Sequence, residues 1–300
     1  MFEGVFDLPV PEKTVHAIAS PSEIEDTGEI THEMMGDLSK VMKSFKLPAE
    51  ASCGLSKGKL LRASGVHGLC MRQAVYEALD SKREPCESRF PMTSLFAMDA
   101  GTALHETIQD RILGPMRVLH GYWTTRDGKE KRLGFWHEMW PRYEEYSFRD
   151  GELCLAGHTD GVICLERIRR LKAGKNFDGL PMNMYTDPCH LEIKSTNDRN
   201  FKHTKSGNLP DYYRWQANVY QMFLEVDKTM FLYMNRDNGS LCSFIYQGSD
   251  KLKDAIKEKA ATFKKYRDAE AIPHEKYRKC PSINSKDAKC CPFRRRCFGA

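Results

Sequence analysis

The sequence predicts an α/β (α+β) fold in which helices flank a central mixed β-sheet. Two segments, at about 64–81 and 92–113, have apolar residues spaced three and four apart and come before a run of strand-like segments. A helix, two further strands and a long basic helix at about 249–270 follow. Helices before, between and after the strands are typical of one layered core.

Length and composition indicate a soluble globular chain. Its 300 residues are 41% hydrophobic and 29% charged, which is enough for a large core. The sequence has no run of 18 apolar residues, and the start, MFEGVFDLPVPEK, has acids and prolines where a secretion signal has a basic flank and an apolar stretch. We therefore expect a cytoplasmic protein without a membrane partner.

Three parts follow from the pattern along the chain. Residues 1–50 are an acidic extension in which THEMMGDLSKVMKSF predicts an amphipathic helix. Residues 51–272 carry the segments of the predicted core. Residues 273–300 form a tail rich in cysteine and basic residues.

Strand-like segments fill the middle of the core. FWHEMWPRYEEYSF and LCLAGHTDGVICL flank the turn RDG and predict a hairpin, and CHLEIKST follows as a third strand. Pro210 and Asp211 open the helix PDYYRWQANVYQMFLEV. TMFLYMN and LCSFIYQ, on either side of RDNGS, predict two more strands.

The strand HLEIKST carries two opposite charges on one side. Residues i and i+2 of a strand share a face, so Glu192 and Lys194 project together, away from Leu191 and Ile193. An exposed salt pair at a sheet edge is one interpretation. The other is that the pair is directed at a ligand.

Asp160 offers a second carboxylate on the preceding strand. It lies in GHTDGV between Gly157 and Gly161, which permit close approach of another group. An ordinary turn aspartate is the alternative. Two carboxylates from adjacent strands can instead bind a divalent cation such as Mg or Mn, and a nearby lysine can orient a water, which is an arrangement suited to phosphodiester hydrolysis.

The tail concentrates thiols and positive charge. Residues 251–300 hold 15 Lys and Arg against 6 Asp and Glu, which favours a polyanionic partner or a solvated helix face. Four of the eleven cysteines fall in the last 21 residues, and thiolates in so short a segment are suited to zinc or to iron and sulfur. We expect the cysteines in apolar or strand-like settings to be core residues: 86, 154, 164, 189 and 242.

Asp160 followed by Glu192-x-Lys194 resembles the PD-(D/E)XK nuclease superfamily. GTALHETIQ resembles the G-x-x-x-H helix of its RecB-like members, in which the histidine is a metal ligand, here His105. The resemblance implies a restriction-endonuclease-like core and a metal held by His105, Asp160, Glu192 and the Ile193 carbonyl, with Lys194 positioning the attacking water.

Two further helices extend the resemblance. QANVYQ is similar to the Q-x-x-x-Y motif, which implies that Gln216 orients Lys194 or the substrate and that Tyr220 faces the site or DNA; from the residues alone, Tyr220 reads as core packing. LCMRQAVY is similar to a Cys-x-Arg-x-x-x-Tyr-like helix, in which Arg72 would contact a phosphate.

The cysteines resemble those of the iron-sulfur RecB-like nucleases of the AddB and CRISPR-associated exonuclease type. That resemblance implies a 4Fe-4S cluster closing the tail onto Cys70, with zinc as the rival cofactor. The tail departs from the usual C-x-x-C-x5-C spacing, so the ligand set is expected rather than fixed: Cys70, Cys280, Cys291 and Cys297, with Cys290 as the substitute and Cys53 outside it.

The resemblance implies a metal-dependent DNA exonuclease, expected to be virus-encoded, that acts on free or single-stranded ends in recombination, repair or replication. A structure-selective or site-specific endonuclease would use the same residues, and a DNA-binding or partner-docking protein without catalysis is the non-enzyme alternative. The insertion at 166–187 is either a DNA-contacting loop or a long connection.

Overall fold

The computed structural model describes residues 46–48, 55, 59–83, 89–175, 177, 186–205, 208–275 and 277–299. The chain from Lys46 to Ala300 forms one compact unit. The helix predicted within residues 31–45 lies outside the described residues, as do Cys53 and Cys86. Within the described ranges, no helix has the length and apolar character needed to cross a membrane.

Twelve strands occur in the described residues. They are β1 (Lys46–Pro48), β2 (Leu61–Arg62), β3 (Arg89–Pro91), β4 (Leu119–Thr124), β5 (Lys131–Phe135), β6 (Arg142–Glu144), β7 (Tyr146–Asp150), β8 (Leu155–Thr159), β9 (Gly161–Cys164), β10 (Pro188–Thr196), β11 (Lys228–Asn235) and β12 (Leu241–Gln247). The main sheet has the order β12-β11-β10-β9-β4-β5, with β6 beside β4, and a smaller sheet has the order β2-β8-β7.

Helices cover the sheets. They are α1 (Met71–Ala78), α2 (Met92–Glu106), α3 (Leu165–Lys172), α4 (Asp198–Lys205), α5 (Asp211–Leu224), α6 (Asp250–Asp268), α7 (Lys286–Lys289) and α8 (Arg294–Phe298). β10 and β11 run parallel, and the other neighbours in the main sheet run antiparallel. This arrangement confirms the predicted mixed sheet flanked by helices.

β10 lies in the interior of the main sheet, and its residues from Cys189 to Ile193 are buried. Leu191 and Ile193 pack in an apolar cluster with Ile108, on the segment after α2. Glu192 and Lys194 project to the opposite side, as alternation along a strand predicts. The sequence rule therefore holds, but the strand is central and not a solvated edge.

The predicted hairpin corresponds to β7 and β8, which pair antiparallel from Tyr146 opposite Thr159 to Asp150 opposite Leu155. In the remainder of FWHEMWPRYEEYSF, Phe135 ends β5, Arg142–Glu144 form β6, and residues 136–141 between them lie outside the strands. Strand β4 was not predicted from the sequence. Its segment, LHGYWT, contains a glycine, which is uncommon in strands, and its partner strands β5 and β9 become its neighbours only in the folded protein. At Gly121 an added Cβ would lie 2.4 Å from the Tyr143 ring.

The helix predicted at 92–113 changes its winding. α2 ends at Glu106, and Thr107–Leu113 continue as a π-helix in which Ile108 and Gln109 are buried. Wider turns of this kind are frequent at functional sites. The helix predicted at 64–81 is shorter, because a 3-10 turn at Ala63–Gly65 precedes α1.

The predicted insertion at 166–187 begins as helix α3, not as a loop. Arg167 is 2% exposed, its guanidinium lies 3.7 Å from the centre of the Phe135 ring, and it donates to the Arg117 carbonyl. The start of the insertion is thus anchored on the main sheet.

Candidate active site

Three elements meet at Asp160, which lies between β8 and β9. Its Oδ2 accepts a 2.6 Å hydrogen bond from the backbone N–H of Ile193 in β10. Its Oδ1 lies 3.4 Å from Nδ1 of His105, near the end of α2. Residues 105, 160 and 193, chosen from the sequence as metal ligands, are therefore neighbours in the fold.

Glu145 is a member of the site that the sequence reasoning missed. It lies between β6 and β7, and its Oε1 is 3.9 Å from Nδ1 of His105. One ligand atom each from His105, Glu145 and Asp160 falls within 4.8 Å of the others. The signal was the pair Glu144-Glu145 in PRYEEYSF, since adjacent strand residues point to opposite sides.

The π-helix supplies a second unforeseen residue. Gln109 is 4% exposed, and its amide donates to the Asp160 carbonyl at 2.7 Å and to Glu145 Oε1 at 3.5 Å. One buried side chain thus connects the two carboxylate residues. Its position depends on the wider winding after His105, which periodicity does not predict.

Electrostatics give the three side chains the character of a cation site. Burial lowers the pKa of His105, but hydrogen bonds to Asp160 and Glu145 outweigh it and raise the value to about 10. Burial raises the pKa of Asp160, but His105 and Lys194 hold it below its usual value. Without a metal, the His105 imidazole between these two carboxylates thus holds a proton; a bound cation would replace that proton and be stabilised by the same carboxylates.

Glu192 and Lys194 form an ion pair beside this set, with side chains 2% and 19% exposed. Burial raises the pKa of Glu192 to about 7, although Lys194 opposes that shift. Burial lowers the pKa of Lys194, but Glu192 and Asp160 outweigh it, so the lysine stays protonated. Within the described residues, Glu192 Oε2 has no hydrogen-bond partner.

The donor set fits Mg or Mn. Carboxylate oxygens and one imidazole are ligands that these hard cations accept, and Glu192 Oε2 is a buried acceptor that still lacks a donor. A bound cation would be held by His105, Glu145 and Asp160, with Glu192 close enough to interact electrostatically with Asp160 and His105.

Gln216 and Tyr220 lie one turn apart on α5, and the Gln216 amide donates to the Tyr220 hydroxyl at 3.3 Å. Tyr220 is 4% exposed and packs edge-on against Phe148. An added Cβ on Gly157 would lie 2.9 Å from both of these rings, so the glycine of GHTDGV is needed for their approach. Tyr220 is thus a core residue with its hydroxyl directed at Gln216.

Arg72 joins α1 to the tail. It donates to the carbonyls of His274 at 3.3 Å and Cys297 at 3.2 Å. Tyr76, one turn along α1, lies with its ring centre 5.4 Å from that of the fully buried Phe293. These contacts dock the tail on α1, and contact of Arg72 with a phosphate stays a prediction.

The four expected cluster cysteines are near one another. Burial raises the pKa of Cys291 to about 11, and repulsion from the other three thiols adds to the shift. Burial raises the pKa of Cys70, which backbone N–H groups at the start of α1 partly offset by bonding its sulfur. Cys290 is exposed.

Of the cysteines expected in the core, the structure describes four. Cys154, Cys164 and Cys189 are buried, and Cys242 is partly exposed.

Comparison with known proteins gives structural similarity only. No protein-family model matches the chain, and no curated protein matches it. Two crystal structures of an alkaline exonuclease (LHK-Exo) from Laribacter hongkongensis, one in complex with dAMP, are 13% and 14% identical, with TM-scores of 0.41 and 0.42, and each match covers 71% of this chain and 90% of theirs. The crystal structure of SSO0001 is 12% identical, has a TM-score of 0.35, and is matched over 81% of this chain and 88% of its own.

Proposed function

We propose that this chain is a metal-dependent deoxyribonuclease that hydrolyses DNA from free ends, in recombination, repair or replication. The observation that carries the proposal is the meeting of His105, Glu145 and Asp160 beside the buried Glu192–Lys194 pair. A hard cation at such a set polarises a phosphate and lowers the pKa of a bound water. A cytoplasmic location and a viral source belong to the same proposal.

The side chains divide the remaining work. Lys194, protonated and fixed by Glu192, holds the attacking water and offsets negative charge that grows on the phosphate oxygens. Asp160 is oriented by Ile193 N–H, and Gln109 holds the Asp160 carbonyl and Glu145 together. As water attacks phosphorus, the bond to the leaving ester oxygen breaks, and that oxygen takes up a proton. Gln216 lies on the neighbouring helix, where it can orient Lys194 or the substrate.

The experiment that tests the function compares linear DNA with covalently closed circular DNA, using the full-length protein with Mn²⁺, Mg²⁺ or a chelator. We expect degradation of linear DNA, intact circles and no reaction with the chelator. Cleavage of circles would favour the endonuclease. DNA binding without cleavage under any of these conditions would favour the non-catalytic alternative.

Replacing Glu145 tests the ligand that the fold revealed. We expect Glu145→Gln to weaken Mn²⁺ binding by about tenfold or more, because an amide oxygen carries no negative charge. The matched control is Glu144→Gln, since Glu144 is paired with Lys131 on the other side of the strand. Titration of each variant with Mn²⁺, followed by electron paramagnetic resonance, measures the two affinities. Equal Mn²⁺ affinities in the two variants would show that Glu145 is not a ligand of the site.

An exposed aromatic ring, separated from Lys194 by the ring of Tyr213, supports a single-stranded substrate. The Lys194 ammonium lies 5.0 Å from the centre of the Tyr213 ring, which is 4.1 Å from that of Tyr212. Tyr212 is 47% exposed at the first turn of α5. Exposed aromatic rings stack on unpaired bases independently of sequence. A base next to the reacting phosphate can therefore stack on Tyr212.

We expect Tyr212→Ala to weaken binding of single-stranded DNA by about fivefold or more, and Tyr212→Phe to bind normally, because stacking needs the ring and not the hydroxyl. Fluorescence anisotropy without divalent metal measures binding apart from cleavage. An unchanged affinity for Tyr212→Ala would contradict stacking at this position.

We further propose that Cys70, Cys280, Cys291 and Cys297 hold a 4Fe-4S cluster. What supports the proposal is that Cys70, Cys297 and Cys280 all lie close enough to Cys291 to raise the pKa of its thiol. Four thiols gathered in this way can bind iron and sulfur or a single zinc ion, and zinc is the rival cofactor.

A further inference from the structure

His190 is a buried side chain to which the proposed function gives no part. It lies two residues before Glu192 in β10, on the same face, and is 0% exposed. Its Nε2 is 3.5 Å from Glu192 Oε2. That oxygen has no hydrogen-bond partner among the residues that the structure describes, whereas Oε1 of Glu192 accepts a hydrogen bond from the Lys194 ammonium.

The other ring nitrogen of His190 ends a chain of buried polar groups. Nδ1 lies 3.1 Å from Oγ1 of Thr229, on the neighbouring strand β11. The amide of Gln221, on α5, donates to the same Oγ1 at 2.9 Å. Gln221 and Thr229 are 1% and 0% exposed, so water does not compete for these bonds.

The order of donors in this chain selects one form of the imidazole. Gln221 donates a hydrogen bond to the Thr229 oxygen, and among the described residues Nδ1 of His190 is the acceptor within hydrogen-bond distance of the Thr229 hydroxyl, so we infer that the hydroxyl hydrogen points to Nδ1. A neutral imidazole that accepts at Nδ1 carries its proton at Nε2. Burial lowers the pKa of His190 to about 3, in agreement with a neutral ring. The Nε2–H group therefore faces Glu192 Oε2.

The ring has little freedom to turn away. Its centre lies 4.8 Å from that of the Tyr220 ring, and Gln221 is itself confined by Gly248, where an added Cβ would lie 2.1 Å from Gln221 Oε1. Glu192 is thus approached from two sides, by Lys194 at Oε1 and by His190 at Oε2. A hydrogen bond from Nε2 to Oε2, which lie 3.5 Å apart, would hold the carboxylate at both oxygens and so fix its orientation.

We propose that His190 is a positioning residue, which fixes the Glu192 carboxylate through Nε2–H, with Thr229 and Gln221 selecting that tautomer. The expected effect of His190 on metal affinity rests on the proposed nuclease function. The hydrogen bonds among His190, Thr229 and Gln221 do not depend on that function. Glu192 is one of the ligands that the sequence predicts for this metal, and partners of this kind behind a ligand change metal affinity by about 10- to 100-fold when they are removed.

Two substitutions separate the two ring nitrogens. The amide of Gln reaches the position of Nε2, and that of Asn reaches only the position of Nδ1. We expect His190→Asn to weaken Mn²⁺ binding by about tenfold or more, and His190→Gln to stay within about threefold of the natural protein. A folded His190→Asn variant with natural Mn²⁺ affinity would overturn the proposal, as would a His190→Gln variant that binds as poorly as His190→Asn.

A readout without metal keeps the inference separate from the proposed function. In the metal-free protein, ¹⁵N NMR of His190 should show a neutral ring protonated at Nε2, and Thr229→Val should increase the Nδ1-protonated form. An Nδ1-protonated ring in the natural protein would overturn the proposal even if every histidine variant failed to fold. If the natural protein bound no Mn²⁺, the nuclease proposal would fail, while the tautomer would still decide the arrangement around Glu192.

Discussion

Lys194→Ala should lower DNA cleavage by about a hundredfold or more while leaving the fold and DNA binding nearly intact, because Lys194 acts on charge that develops only during the reaction. In the structure its ammonium is held by Glu192 next to Asp160, close to where the metal and the phosphate would lie. Single-turnover cleavage at saturating Mn²⁺ measures the chemical step apart from binding.

The same substitution leaves Glu192 without its cation. A buried carboxylate that loses its partner costs stability unless it takes up a proton, and the Glu192 pKa, raised by burial to about 7, shows that protonation is near. Lys194→Met keeps the aliphatic chain and should behave as Lys194→Ala does. The control is Lys202→Ala, on α4, where the lysine is exposed and pairs with Asp198 in the same helix. Near-normal cleavage by a folded Lys194→Ala protein would remove the lysine from the mechanism.

Cys70→Ala should abolish iron binding. Protein purified with care should be brown, with about four irons per chain, and the variant should be colourless and sensitive to proteases in the tail. A cluster bound by Cys70 and Cys280 would close a ring of more than 200 residues, and opening such a ring costs about 5 kcal/mol in the chain-entropy model. Iron analysis and the visible spectrum measure the outcome.

Adjacent cysteines provide the matched control for that experiment. Cys291 is electrostatically coupled to Cys70, whereas Cys290 is exposed, so Cys291→Ser should lose iron and Cys290→Ser should keep it. The contacts of Arg72 and Tyr76 with the tail persist in every variant, so some docking should survive the loss of iron. Full iron content in Cys70→Ala, or one zinc in a colourless natural protein, would contradict the cluster and leave the nuclease proposal intact.

Local patterns in the sequence were enough to predict several features of the fold. The alternation in HLEIKST places Glu192 and Lys194 on one face of a strand, and RDG between two strand segments predicts the β7–β8 hairpin. Both depend on geometry repeated over two to ten residues, which any sheet of this kind must obey. The same rule places His190 on the same face as Glu192. Only the tertiary structure shows that the strand is buried, so that water does not compete with the interaction between the two side chains.

The tertiary structure alone decided which groups complete the site. Glu145 reaches His105 because β7 and α2 meet across about 40 residues of chain, and Gln109 reaches Asp160 because the helix widens after Glu106. β4 became a central strand through partners on β5 and β9 that its own sequence does not indicate. Contacts between distant segments depend on how whole elements pack, and packing is a property of the complete core rather than of any local pattern.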